Sequence, residues 1–406
     1  MDGIDGRLRH GRASLAVSFF AQGVVFALLV TRIPALQDRY GVSDGMLPLF
    51  LAAVPILAGV GSVTTEHVLK RVRPSVVLRW VQPAVCLALV GAGSGDRLWE
   101  LAVSLAVFGI CVGGLDASMN VLGVSLQHAY GRSIMLGFHA TYSLGGILGA
   151  SLAWVGAHWH LSLVVLYGPV AAVLIPVVLV ASRWYVDQEQ GQVPGAKGEG
   201  AGTAAPVPVA MKLLLPLCMV MAFAYIGDST VSNWSPKYLQ DVLGSSDQLS
   251  TVPYNVYMVT TLLGRALGDF GVRRFGAAAV VRAGSLLAMG GFAVVAAAPG
   301  AWVGILGFTI LGFGLCVIVP QTFAAAGRLF PGASDAAIAR LNVFNYVGFL
   351  IGSPLVGALG DVWSYRGAML VPMVLVGATL LYARSFDADP ARYGVGHERP
   401  RTADVG

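Results

Sequence analysis

Three ionisable residues lie deep inside long apolar runs, away from the ends of those runs: Asp116, His139 and Asp228. A charged group in hydrocarbon is costly, so each needs a reason to be there. Asp116 and Asn120 are four residues apart and share a face if their run is helical. His139, Tyr142 and Ser143 share a face of the next run, and Asp228 stands at helical spacing from Tyr225 and Ser232. A carboxylate in a partly dry cavity, or a histidine, can take up a proton on one side and release it on the other. The chemistry these residue types suggest is a proton relay. A structural alternative stands beside it: Asp116, His139 and Asn120 can hydrogen-bond one another and only fix helix packing. For Asp116 and His139 that alternative is set ahead. Asp228, with no partner evident in the sequence, is assigned to function.

Other polar residues fall near the middle of apolar runs: Gln22, Asn120, Tyr142, Tyr225, Asn233, Tyr254, Tyr257, Gln321, Asn342 and Asn345. They are expected to line a cavity for a polar or amphiphilic small molecule, because each buried donor or acceptor needs a partner. Hydrogen bonding between helices is the alternative for Asn and Gln. No nucleophile–histidine–acid order, metal-ligand spacing or phosphate-binding loop occurs in the sequence. It therefore makes no case for an enzyme, a metal, a cofactor or ATP drive within this chain. Cys86, Cys111, Cys218 and Cys316 each sit alone in an apolar run and read as packing residues.

The elements that must position these groups follow from composition. Of 406 residues, 56% are hydrophobic and 12% charged, where soluble domains carry roughly 25% charged residues. That excludes a disordered chain and a soluble enzyme. Twelve membrane spans are expected, at roughly 13–36, 46–66, 75–95, 98–127, 132–156, 160–184, 212–240, 248–270, 277–297, 301–328, 335–360 and 366–385. With the N-terminus placed in the cytoplasm, 21 of the 26 Lys and Arg residues fall on cytoplasmic segments or span ends. Both termini are then cytoplasmic. This distribution accounts for the net charge of +5 without nucleic acid. Residues 186–211, rich in Gly, Ala, Pro and Gln, read as a flexible cytoplasmic linker, and 386–406 as a disordered tail.

The second part of the chain repeats the first at a fixed offset of 203 residues. Leu36, Gln37 and Asp38 fall on Leu239, Gln240 and Asp241; Glu66 on Asp269; Lys70 and Arg71 on Arg273 and Arg274; Gly145 and Gly149 on Gly348 and Gly352. The same offset pairs His139 with Asn342 and Tyr142 with Asn345. Matches among charged residues at helix ends mark a duplication. An even number of spans per copy gives both copies the same topology. The expected units are 1–185 and 212–385, six helices each. The fold is then an all-α integral membrane protein of twelve transmembrane helices in two parallel six-helix repeats. Glycines four apart (Gly109/Gly113, Gly145/Gly149, Gly264/Gly268, Gly348/Gly352) mark close helix packing within the bundle, with dimerisation the other reading.

Residues 264–276 (GRALGDFGVRRFG) resemble the loop motif between spans eight and nine of the major facilitator superfamily. Residues 113–120 (GGLDASMN) and 131–146 (GRSIMLGFHATYSLGG) resemble spans four and five of its bacterial YbjJ-like branch. Asp228 through Trp234 resembles that branch's span seven, with Asp228 and Asn233 where Glu and Asp are common. The resemblance implies a conformational latch in which an acidic residue at a helix end contacts basic residues of the adjoining loop. Here that assigns Gly264, Arg265, Gly268, Asp269, Arg273 and Arg274, with Glu66, Lys70 and Arg71 kept from a degraded first copy. Arg265 is expected to neutralise Asp269 or a neighbouring helix end.

The expected function is secondary active transport of a small solute by alternating access, coupled to protons through Asp228 with Asp116 and His139 as relay members. Export of a small metabolite or drug is set ahead of proton-driven uptake of a sugar-like nutrient. A non-transporting membrane sensor on the same scaffold is the alternative from another class. The expected partners are the solute, protons and the lipids of a bacterial inner membrane, with the chain a monomer.

Overall fold

The computed structural model describes residues 6–42, 47–187, 209–246, 249, 252–331 and 333–387, without the side chains of 34, 47–51, 353 and 361. Most of the linker expected at 186–211 and nearly all of the tail expected at 386–406 lie outside these residues. Among the described residues there is no β-strand. Twelve helical passes follow one another: α1 (Gly6–Thr31), α2 (Leu47–Val68), α3 (Pro74–Ser94), α4 (Leu98–Tyr130), α5 (Met135–His158), α6 (Leu163–Ala181), α7 (Met211–Lys237), α8 (Val252–Phe275), α9 (Ala277–Ala297), α10 (Ala301–Leu329), α11 (Ser334–Val362) and α12 (Tyr365–Phe386).

Each pass overlaps one span read from the sequence. Nine of the described helices are long and apolar enough to cross a membrane. The other three passes, α2, α5 and α8, have 22, 24 and 24 residues. Two of these, α5 and α8, owe their lower apolarity to the polar groups described below. The first pass departs most from expectation. It begins at Gly6 rather than near residue 13, because a helix need not stop where polar residues leave the bilayer. It breaks at Arg32, and a separate short helix, Ile33–Tyr40, starts with a proline in its first turn.

Local sequence sets the ends. Ser162 caps α6 and Ser364 caps α12, each accepting a backbone N–H three residues on. Gly276 alone connects α8 to α9, at φ +83°, a region open to glycine at little cost. Exposed tryptophans (Trp99, Trp159, Trp302, Trp363) stand at the ends of passes, where an amphipathic ring meets headgroups.

Packing repeats with a shift of six helices. The pair α1–α5 recurs as α7–α11, α2–α4 as α8–α10, and α3–α6 as α9–α12. Glycines make the first pair close. A Cβ on Gly145 would run into the carbonyl of Phe20, and one on Gly348 into that of Ala222. The paired glycines thus work inside the bundle. The two sets of six meet along α2 with α11, α5 with α8, and α4 with α11 and α10.

One pass is jointed. Within α10, helix Ala301–Leu315 gives way to two turn residues before helix Ile318–Leu329. Pro320 lacks the N–H that would bond the carbonyl four residues back, at Cys316. The helix loosens at that residue.

Candidate functional site

The polar groups converge where the two sets face each other. Asp116 stands near the middle of α4, and its carboxylate accepts Gln22 Nε2 from α1 and the Tyr346 hydroxyl from α11. It thereby ties the first set of helices to the second. Asn120, one turn on, turns back to the Asp116 carbonyl at 2.9 Å. In the second set, Asp228 on α7 accepts the hydroxyl of Tyr257 on α8. Tyr225 lies within electrostatic reach of Asp116, Asp228, Tyr142 and Arg265, and Tyr254 within reach of Asp228. Asp116, Asp228, Tyr142, Tyr225 and Tyr346 are all partly accessible rather than sealed in packing.

The expected contact between Asp116 and His139 is absent. The His139 ring lies between Phe19 and Phe323, at centroid distances of 5.3 and 6.3 Å, and its Nε2 is buried without a hydrogen-bond partner among the described residues. The cause is rotational. The face of α5 that carries His139 turns to α1 and α10, while Asp116 turns to α1 and α11. Asp228, for which no partner was evident in the sequence, has one in Tyr257.

Of the two expected partners of Arg265, the structure shows the neighbouring helix end, at Cys316 after Ala301–Leu315, and not Asp269. The Arg265 side chain reaches across to α5, donating from Nη1 to Ser143 Oγ at 2.7 Å and to the His139 carbonyl at 3.4 Å. Its Nε donates to the Cys316 carbonyl at 3.4 Å, the acceptor that Pro320 leaves without a helical donor.

The remaining expected residues scatter. Asn345 donates to Asn342 at 3.2 Å, and Asn342 to Ser62 of α2 at 3.4 Å, so this pair bridges the two sets. Gln321 is fully buried, with both amide atoms unpaired among the described residues. Asn233 is exposed and bonds the Ser229 carbonyl in its own helix.

The end of the bundle that holds the start of α1 and the end of α12 is bridged by contacts between the two sets. Asp269 accepts Ser133 Oγ at 2.5 Å, the Gly137 N–H at 2.8 Å and the Leu136 N–H at 3.4 Å, all at the start of α5. A carboxylate is favoured there by the free amides and dipole of a helix N-terminus. Arg273 adds a bond to the Ser133 carbonyl at 3.0 Å. Glu66, 8% exposed, pairs with Arg340 of α11 at 2.8 Å, and Arg340 also holds the Val209 carbonyl. The expected contacts of these acids with loop bases are thus replaced by contacts between the two sets. Lys70, Arg71 and Arg274 point to the exterior. Gly268 leaves room for Leu136 of α5, and Gly264 for Cys316.

Sequence reasoning missed Tyr346, Arg340, Ser133 and the aim of Arg265. The 203-residue offset places Tyr346 on Ser143, already on a polar face, which is the signal that could have found it. Arg340 stood among the charges at span ends but carried no sign of its partner.

Comparison with known proteins accords with this geometry. The sequence model of the Major Facilitator Superfamily matches residues 15–303. An uncharacterized MFS-type transporter of Yersinia pestis is 26% identical over 357 residues, covering 87% of this chain and 90% of its own length. The membrane protein MosC of Rhizobium meliloti is 25% identical over 382 residues, covering 92% and 89%. The fucose:proton symporter FucP of E. coli, in its outward conformation, superposes with a TM-score of 0.76 at 17% identity, over 93% of this chain and 99% of that one. That likeness concerns the fold alone.

Proposed function

Because the chain belongs to the Major Facilitator Superfamily, we propose that it moves a small polar solute by alternating access, with protons carried by Asp228 and Asp116. The observation that carries this reading is the pair of partly accessible carboxylates, one in each set of six helices. Each is bonded to a tyrosine hydroxyl, and one bond crosses between the sets. A carboxylate with a neutral donor beside it can exist with or without its proton, and a change at Asp116 acts directly on a contact between the sets. His139, shielded by two phenyl rings, is left out of the relay.

With the termini in the cytoplasm, as the lysine and arginine distribution favours, the bridged end faces the cytoplasm and the cavity opens outward. Each set of six helices then rocks as a unit, and the contacts of Asp269 and Glu66 must break for the cavity to open inward. The linker 186–211 connects the two units.

The test begins with thermal unfolding in detergent against sugars, amino acids and amphiphilic antibiotics, since a bound solute stabilises by mass action. The stabilising solute is then followed in proteoliposomes under an imposed pH gradient. Gradient-driven flux is expected in the wild type, and the orientation of the gradient that drives it separates import from export. In Asp228→Asn, gradient-driven flux is lost while solute exchange at equal pH persists. Full gradient-driven flux in that variant would refute the role of Asp228.

A further inference from the structure

We infer that the solute is an organic oxyanion, in the simplest case a monocarboxylate, whose negative group docks on Arg265. This rests on the reading of the cavity as a solute site. Arg265 is a permanent cation whose planar fork suits a carboxylate. Each of its bonds goes to a neutral acceptor: the Ser143 hydroxyl and the carbonyls of His139 and Cys316. Among the described residues no carboxylate lies within 4.0 Å of it. The nearby acid, Asp228, is held by Tyr257 instead. A partly accessible guanidinium between the two sets, hydrogen-bonded only to neutral dipoles, is a site for an anion.

The fork is aimed by the fold. The jointed turn of α10 offers the Cys316 carbonyl to Nε, and α5 fixes Nη1 from the opposite set of helices. Only Nη2 has no partner among the described residues. An anion seated on Arg265 therefore touches a residue that already bridges the two sets, so its binding bears on their contact.

The charges around Arg265 also link the anion to protons. Within its electrostatic reach are Asp228 and Tyr225 from α7, His139 and Tyr142 from α5, Tyr257 from its own helix and Cys316 from α10. Asp116 lies beyond Tyr225, and α9 contributes only Arg282, which is exposed. With both aspartates protonated the cavity holds one positive charge; with both ionised it holds a net negative one. An anion is therefore bound best when the aspartates carry protons and is expelled when they lose them.

The experiment measures binding to the full-length protein in detergent by thermal unfolding at several pH values. The probes are lactate, gluconate and benzoate, each beside a neutral counterpart: lactamide, sorbitol and benzamide. At least one carboxylate is expected to raise the unfolding midpoint while its counterpart does not, with affinity tightening as pH falls. Arg265→Gln is expected to weaken that binding about tenfold or more, and Arg265→Lys by less. Three outcomes overturn the inference: no carboxylate stabilises, affinity weakens as pH falls, or Arg265→Gln retains the full shift. The pH arm uses the wild type and does not depend on any variant folding. Flux in proteoliposomes separates this inference from the proton reading. A neutral solute driven by a pH gradient removes the anion and keeps the coupling. A carboxylate that binds but ignores the gradient does the reverse.

Discussion

Replacing Asp269 by Asn should unlatch the bridged end. The carboxylate, 6% exposed, accepts Ser133 Oγ at 2.5 Å and the Gly137 N–H at 2.8 Å, at the start of a helix in the opposite set. The amide keeps the shape but loses the charge and one acceptor. Hydrogen bonds to a charged group contribute about 1.5–3 kcal/mol, against about 0.5–1.5 for neutral ones. The helix N-terminus favours a negative charge by a further 0.3–1 kcal/mol or so. The two short bonds together then lose about 2 kcal/mol, which moves the equilibrium between closed and open ends by about thirtyfold. Spin labels at Arg132 and Phe275, both exposed and on opposite sides of these contacts, report the change in a variant whose native cysteines are replaced by alanine. Double electron–electron resonance should show a longer-distance population growing in Asp269→Asn. It should grow further when Glu66→Gln removes the second acid, since both close the same gap. An unchanged distance distribution in Asp269→Asn refutes the reasoning.

His139→Phe should keep the unfolding midpoint at or above that of the wild type and leave gradient-driven flux intact, because it replaces an unpaired buried nitrogen by apolar surface between two phenyl rings. Loss of proton coupling in this variant would return His139 to the relay. Gly145→Ala should destabilise by about 1–3 kcal/mol, since its Cβ meets the Phe20 carbonyl. The neighbouring Gly146→Ala, with open space around it, should not; equal midpoints for the two would show that α1 and α5 do not depend on that close approach.

The twelve passes and their duplication were legible because hydrophobic length and end charges are written along the chain. Asp116 and Asp228 were legible because a lone acid in an apolar run is conspicuous. Their partners were not. Spacing places Asp116 and Asn120 on one face of α4, but says nothing of how α4 is rotated against its neighbours. Asp116 consequently bonds Gln22 and Tyr346, while His139 of the adjoining α5 turns elsewhere. Arg265 and Asp269, four residues apart, suggested a pair within α8. Each instead found partners on α5, because the start of a facing helix offers free backbone amides to the acid, and Ser143 with the His139 carbonyl offers acceptors to the base, which also reaches the Cys316 carbonyl of α10. Such contacts join residues over a hundred positions apart, beyond any local pattern.

The interruption of α10 divides one pass into two stiff rods on a soft joint. The first rod, Ala301–Leu315, packs on α9, in its own set. The second, Ile318–Leu329, packs on α7 and α11 of its own set and also lays Phe323 against His139 and Gly327 against Val124, in the other set. A continuous helix would have to drag both neighbours along its full length whenever the sets separate. A jointed one bends where a ladder bond is already missing, so the two rods can tilt separately. The bundle's resistance to motion is thus uneven along α10, and the compliant point is the turn that holds Arg265.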